Sequence, residues 1–283
     1  MSMPWVVDRF RHHVVAGGWR HSVARAASRA LDLAAGRVQS ASARLLDPTA
    51  TDRRLPKRIG DQLALNAAFR NRFRDARALV VASGPSARRL DAQMADGRAI
   101  IVVNEMFGQV KGAGLRLTAV VLHDQLYFSG TPEMDRFLSD ITAVARADGA
   151  LMIVPAAYGP RLVSEGLVEP SSMLTFFESG MPIALARQPT ELIDLARAIP
   201  SLQTVSHTAL ASALFLGFAE IALIGVDLNF VGTPSVPVAH SYGKNRYYDL
   251  INHASAADAF RSGHGWDWPF VLRDVARQLE AYD

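Results

Sequence analysis

Short runs of apolar residues alternate with stretches of helical spacing through the central part of the chain. The apolar runs are rich in β-branched residues and end in a polar residue; they cover residues 78–83, 99–104, 119–123, 151–155 and 221–227. Helical spacing occurs at 61–75, 87–95, 132–147, 190–198 and 206–217. Strands that are apolar throughout are buried on both faces, as in parallel sheets covered by helices. The pattern therefore predicts an α/β domain with a doubly wound, mostly parallel sheet.

The N-terminal region follows a different pattern. Residues 5–46 are rich in alanine and arginine, contain no proline and predict a helix that is interrupted at Gly17-Gly18. Residues 47–56 contain two prolines and several turn formers, which predict a linker. We therefore divide the chain into a basic helical N-terminal arm with its linker, residues 1–56, and an α/β domain, residues 57–283.

Charge is distributed unevenly along the chain. Residues 1–77 carry 15 Lys and Arg against 6 Asp, the remainder carries 15 against 21 acidic residues, and the net charge is +3. A basic amphipathic helix binds anionic membrane surfaces, and a solvated arm packed on the domain is the simpler alternative. The few aromatic residues of the arm are not interleaved with its charges, as a platform for stacking bases requires. We therefore expect no nucleic-acid binding.

Composition narrows the class of protein further. The 283 residues are 49% hydrophobic and include no cysteine, which excludes disulfides, a thiolate nucleophile and cysteine-ligated metals. The longest apolar stretch, residues 209–219, is too short to span a bilayer, and the N-terminus lacks the apolar core of a signal peptide. We expect a cytoplasmic protein, with peripheral contact at the inner face of the plasma membrane if the arm binds lipid.

Polar residues follow the predicted strands, where ligands bind in open α/β sheets. The first strand leads into Ser83-Gly84-Pro85-Ser86, where glycine allows close approach and a helix N-terminus can bind phosphate. A plain strand-to-helix turn is the alternative for this segment. The other candidate binding residues, each at a strand end or a predicted helix start, are Asn104, Asp124, Gln125, Ser206 as a helix N-cap, and Asp227.

His240 is the candidate catalytic residue. It lies in a polar segment after the last predicted strand, and an imidazole titrates near neutral pH, as a general base requires. His253 and His264 lie nearby and are the competing candidates. An ordinary surface histidine is the alternative for each of the three.

Four segments resemble the motifs of bacterial sialyltransferases of glycosyltransferase family 42. Residues 80–86 are similar to their first-strand Gly-x-Gly-Pro-Ser signature, and residues 103–107 to their Cys-Asn-x-Phe element. Residues 206–227 resemble their long segment that ends in Gly-x-Asp, and residues 240–243 resemble their His-Tyr-x-Gly motif. The order and approximate spacing agree over residues 77–243.

The resemblance implies a Rossmann-like, sialyltransferase-like fold and a role in surface glycan or glycoconjugate synthesis. The implied donor is a CMP-activated keto sugar acid, the acceptor is a glycan, and neither a metal nor a resident cofactor is implied. It places donor contacts at Ser83, Asn104 and Asp124 or Gln125, a helix cap at Ser206 and the general base at His240. Ser83 stands where the family has Asn, and Phe230 stands where a leaving-group tyrosine falls.

Two other functions remain open at this stage. The wider superfamily includes flagellin nonulosonate transferases and an archaeal hydroxymethylpterin pyrophosphokinase. A pyrophosphokinase would use ATP and Mg²⁺, and the carboxylates of Asp124 and Asp227 would then matter most. A non-catalytic scaffold in polysaccharide assembly is the third possibility, for which the basic arm is the main hint.

Overall fold

The computed structural model of the chain describes residues 55–182, 193–202 and 204–227. Within these ranges, the strands are β1 (Arg77–Val81), β2 (Arg98–Val103), β3 (Ala119–Val121), β4 (Leu151–Pro155), β5 (Met173–Phe176), β6 (Glu178–Pro182), β7 (Ile199–Ser201) and β8 (Glu220–Ile224). Six of these strands form one parallel sheet in the order β5-β4-β3-β2-β1-β8, and the other two form a small parallel pair, β6-β7.

Helices connect most of these strands. They are α1 (Lys57–Leu65), α2 (Ala92–Ala95), α3 (Phe107–Gly112), α4 (Pro132–Asp148), α5 (Gly159–Ser164) and α6 (Val205–Leu216). Turns of 3₁₀-helix are formed by Asn66–Phe69, Pro85–Arg89, Asn104–Met106, Gln125–Phe128 and Pro170–Ser172. The helix α4 begins at a Thr131 cap with Pro132 in its first turn and ends at Gly149, whose φ of 68° is left-handed.

The order of the strands makes the sheet doubly wound. The chain adds strands in one direction from β1 to β5 and then returns to the other side of β1 with β8. Crossovers between parallel strands are right-handed, so a reversal of direction moves the connecting helices to the opposite face. The strands β1 and β2 are accordingly almost wholly buried, and α6, nine of whose twelve residues are buried, packs on β1, β2 and β3. The prediction of a Rossmann-like α/β sheet is confirmed.

Some predicted elements differ from the observed ones. The helix predicted at 87–95 is two short pieces, because Leu90 and Asp91 leave the helical conformation and the Asp91 side chain caps α2 by accepting the Met94 N–H at 2.8 Å. Residues 193–198 of the helix predicted at 190–198 are not helical, and residues 190–192 lie outside the described ranges. The pattern missed β5, β6 and β7, because these strands are short and their apolar runs are interrupted.

Several predictions fall on residues that the structure does not describe. These are residues 1–54, 183–192, 203 and 228–283, which include the basic arm and the three candidate histidines His240, His253 and His264. The predictions about them stay predictions. None of the described helices combines the length and the hydrophobicity that a membrane-spanning helix requires.

Candidate functional site

A cleft opens at the carboxyl ends of β2, β3, β4 and β5. Its volume is about 620 Å³, within the range of small-molecule sites. Polar groups from five different parts of the chain line it, among them Asn104, His123, Asp124, Gln125, Tyr158, Glu178 and Thr204. The structure thus brings together three of the predicted site residues, Asn104, Asp124 and Gln125, which follow the neighbouring strands β2 and β3.

Asn104 ends β2 in an uncommon backbone conformation. Its φ of 49° lies in the left-handed region, which asparagine tolerates better than other side chains with a Cβ. Its side-chain Oδ1 is buried and has no hydrogen-bond partner among the described residues. Since nearly all buried polar atoms in proteins are paired and Asn104 lines the cleft, its Oδ1 is a candidate acceptor for a ligand that supplies a donor.

His123 directly precedes the predicted binding residue Asp124 and lies between it and the end of β3. Its Nδ1 is 2.6 Å from the Thr208 Oγ1 of α6, and its ring packs against Phe176 with 5.3 Å between ring centroids. Burial lowers the pKa of His123, and the Asp124 carboxylate opposes part of this effect. The lowered pKa favours the neutral form of the imidazole.

Glu178 approaches the same imidazole from the first residue of β6. Its Oε1 lies 3.7 Å from His123 Nε2, which is longer than a hydrogen bond, and it accepts the Leu202 N–H at 2.9 Å. Burial raises the pKa of the Glu178 carboxyl, and the hydrogen bond from Leu202 opposes this. Burial therefore disfavours the charged form of both side chains, and pKa values perturbed in a cleft mark a candidate functional site.

Asp124 and Gln125 follow β3 at the exposed rim of the cleft. The Asp124 Oδ1 accepts the Leu126 N–H at 2.9 Å and caps the short 3₁₀-helical turn that starts at Gln125. This contact orients one carboxylate oxygen of Asp124 and leaves the side chain accessible at the rim. A carboxylate in such a position can accept hydrogen bonds from the hydroxyls of a sugar or ribose.

The N-terminus of α6 also borders the cleft. The cap is Thr204, whose side-chain oxygen accepts the His207 N–H at 3.4 Å, and both Thr204 and Val205 line the cavity. The prediction of Ser206 as the N-cap is wrong, because the helix starts one residue earlier and Ser206 lies in its first turn. The partial positive charge at a helix N-terminus favours an anion near Thr204.

The remaining predicted residues form a separate cluster between β1 and β8. The Ser86 N–H donates to Asp227 Oδ2 at 2.8 Å, and the Gly225 N–H donates to Ser86 Oγ at 2.9 Å. The Gly84 N–H donates to the Gly225 carbonyl at 2.7 Å. Within the described chain, none of Ser83, Gly84, Pro85, Ser86 and Asp227 lines the cleft.

The close packing of these contacts explains why a glycine occupies position 84. A Cβ at Gly84 would overlap the Asp227 carboxylate and the Gly225 carbonyl oxygen, so no larger residue fits without a shift of the turn. The Asp227 carboxylate already accepts the Ser86 N–H that a phosphate would take. The helix that follows is a five-residue 3₁₀ turn. Phosphate binding at this turn stays a prediction.

The histidine and the glutamate of the cleft were not among the predicted site residues. His123 is the last residue of a predicted strand and directly precedes Asp124, so its position did carry a signal. The position of Glu178 in the sequence carried no such signal, because β6 was not predicted. The approach of Glu178 to His123 depends on the small sheet β6-β7. Among the described residues, no group of three or more His, Asp and Glu side chains is arranged to hold a metal ion.

The fold and the cleft define an α/β protein with a Rossmann-like parallel sheet and a polar cavity at its carboxyl edge. Comparisons with protein-family models, with curated proteins and with solved structures found no match for this chain.

Proposed function

We propose that the chain is a glycosyltransferase that takes its sugar from a CMP-activated keto sugar acid. The observation that carries the proposal is the buried Oδ1 of Asn104, a residue of the cleft lining, which has no hydrogen-bond partner among the described residues. A nucleotide base or a sugar hydroxyl supplies the donor that this oxygen lacks. The family resemblance over residues 77–243 adds the identity of the donor.

The cleft suits a ligand that is rich in hydroxyl groups. Asp124 and Glu178 offer carboxylate oxygens to hydroxyl protons, and Tyr158, Phe176 and Phe177 offer aromatic surfaces to a base or a sugar ring. Tyr158 is held by stacking on Phe128, with 4.3 Å between the ring centroids. The nucleoside and the sugar therefore both have complementary groups on the walls of the cleft.

The phosphate of the donor requires a different environment. The described lining includes two carboxylates and no lysine or arginine, so most of the cleft disfavours an anion. The N-terminus of α6 at Thr204 is the described element that favours one. We therefore assign the phosphate to the α6 end of the cleft, with the hydroxyl-bearing groups towards Asp124.

The geometry does not favour the pyrophosphokinase alternative. Asp124 follows β3 and Asp227 follows β8, and these strands are three positions apart in the sheet. At ~4.8 Å per strand the two carboxylates are roughly 14 Å apart, which is too far to share one Mg²⁺. Asp227 is also hydrogen-bonded to Ser86. The scaffold alternative predicts no nucleotide binding, and the experiment below tests it.

The proposal is tested by thermal unfolding of the full chain with CMP, CTP, UDP, GDP and ATP with Mg²⁺. CMP and CTP are expected to stabilise the protein, by about 2.7 kcal/mol at a hundredfold excess over Kd. Asn104→Ala is expected to lose this stabilisation. Asn71→Ala is the matched control, because Asn71 is also an asparagine with a left-handed φ, 56°, and does not line the cleft.

Release of CMP from a CMP-linked keto sugar acid then measures transfer or donor hydrolysis. Stabilisation by ATP and Mg²⁺ without any effect of CMP would support the pyrophosphokinase instead. No stabilisation by any of the five nucleotides would contradict the proposal and support the scaffold. Equal loss of CMP binding in both asparagine variants would show a general defect and remove the assignment of Asn104.

A further inference from the structure

We propose that His123 is the general base of the cleft, held in position by Thr208, and that it takes the proton of the acceptor hydroxyl at Nε2. This assignment rests on the proposed function. It differs from the family resemblance, which places the base at His240. The contacts of His123 on both sides of its ring carry the inference.

Thr208 fixes one side of the imidazole. It is fully buried in the first turns of α6, and its Oγ1 lies 2.6 Å from His123 Nδ1. The proton of this contact belongs to either partner, depending on the tautomer of the imidazole. The proposal places it on Nδ1, which donates to Thr208 and leaves Nε2 with a bare lone pair.

The other side of the imidazole faces the cleft. Nε2 lies 3.7 Å from Glu178 Oε1, and about a quarter of the His123 side chain is exposed. The separation leaves Nε2 without a direct hydrogen bond to Glu178, so a hydroxyl in the cleft can approach it. The groups that face the ring are Asp124 beyond β3, Phe176 of β5, Glu178 of β6 and Thr208 of α6.

The proton transfer accompanies a substitution at the anomeric carbon of the sugar. The acceptor oxygen forms a bond to the anomeric carbon of the sugar, and the bond from that carbon to the phosphate oxygen breaks. The electron pair of the broken bond leaves with CMP, and the hydroxyl proton moves to His123 Nε2. Glu178, once ionised, stabilises the resulting imidazolium by charge.

The tautomer of His123 is the first test, and it needs no turnover. In protein labelled with ¹⁵N-histidine, we expect the Nδ1–H tautomer for His123, assigned by its loss in His123→Asn. Thr208→Val is expected to lose the preference for this tautomer. Thr142→Val is the matched control, because Thr142 is also a buried helical threonine and bonds to the Leu138 carbonyl in α4.

Turnover is the second test. His123→Asn keeps a polar atom near the Nδ1 position and removes Nε2. It is expected to lower kcat for CMP release by roughly 10²–10⁴-fold while CMP binding stays within about threefold of wild type. Glu178→Gln is expected to move the acid limb of the kcat/KM profile to lower pH, because the charge that favours the imidazolium is removed.

The outcomes separate the two proposals. An Nε2–H tautomer in the wild type, or an unchanged tautomer in Thr208→Val, overturns the assignment of His123 whatever the enzyme turns over. Full turnover in His123→Asn overturns it as well and leaves the proposed function standing, with His240→Asn as the next variant. A wild type that binds no nucleotide overturns both proposals together.

Discussion

His207 is a single buried histidine beside the cleft. It is 4% exposed, and its Nδ1 lies 2.9 Å from the Thr204 hydroxyl oxygen that caps α6. Burial lowers its pKa from 6.5 to about 4. Unlike His123, it does not line the cavity among the described residues, so its unusual pKa has a structural cause and calls for no ligand.

The pKa of His207 makes stability depend on pH. The unfolded chain binds the His207 proton more tightly than the native protein does. The free energy of unfolding is therefore highest, as far as His207 is concerned, above pH 6.5, and it decreases as the pH falls towards about 4. The loss is at most ~1.4 kcal/mol per pH unit. Urea unfolding at pH 7 and at pH 5 measures it, and His207→Gln is expected to show a smaller difference between the two pH values. An equal difference in both proteins would show that His207 is not the titrating group.

The two turns that follow β1 and β8 show how one element depends on close contact between backbones. Gly225 has a φ of 79°, and a Cβ on it would overlap the Ala82 carbonyl, while Gly84 lies against Asp227 and Gly225. The sequence predicted a functional glycine here because the motif sits at a strand end. The observed hydrogen bonds of Ser86 and Asp227 give it a packing role that the motif by itself does not reveal.

Gly84→Ala tests this packing. The added methyl group must displace the Asp227 side chain or the Gly225 backbone, so we expect a destabilisation of roughly 1–3 kcal/mol. Gly108→Ala is the control, because Gly108 is a helical glycine of α3 with no atom close to its missing Cβ, and alanine there is expected to be neutral or stabilising. Urea unfolding measures both variants. A Gly84→Ala protein as stable as Gly108→Ala would contradict the packing of the turn.

At the scale of the whole molecule, Asn66 joins three parts of the chain that are far apart in sequence. It is 1% exposed and follows α1 directly. Its Nδ2 donates to the Thr175 carbonyl at 2.6 Å and to the Leu195 carbonyl at 2.5 Å, and its Oδ1 accepts the Thr175 N–H at 3.0 Å. One side chain therefore connects the first helix, the edge strand β5 and the segment before β7.

Asn66→Ala removes these three hydrogen bonds. We expect a loss of roughly 2–4 kcal/mol in the free energy of unfolding, since each buried bond contributes about 1 kcal/mol and the abandoned backbone groups are desolvated. Asn66→Asp is expected to be at least as harmful at pH 7, because it keeps the acceptor and places a carboxylate against two carbonyls. Circular dichroism during urea unfolding measures both. A urea midpoint equal to that of the wild type in either variant would contradict the role of Asn66 in joining these three segments.

The sequence by itself determined the class of fold and part of the site. Strands buried on both faces must be apolar throughout, so β1 to β4 were visible as β-branched runs. The edge strand β8 is only partly buried and was visible from its apolar run alone. Their carboxyl ends lie at one edge of the sheet, so Asn104, Asp124 and Gln125 could be expected to meet there. These inferences use the local pattern and a general rule of parallel sheets, and neither requires the order of the strands.

Tertiary structure decided the order of the strands and, through it, which residues meet. The pattern along the chain does not say that β8 lies beside β1 and far from β3, because strand order depends on how all the helices and strands pack together. That order separates Asp227 from Asp124. It also places Ser86 against Asp227, Thr208 against His123, and Glu178 on the far side of the same imidazole. Hydrogen bonds and burial act over a few ångströms in space, so they appear only when the chain has folded.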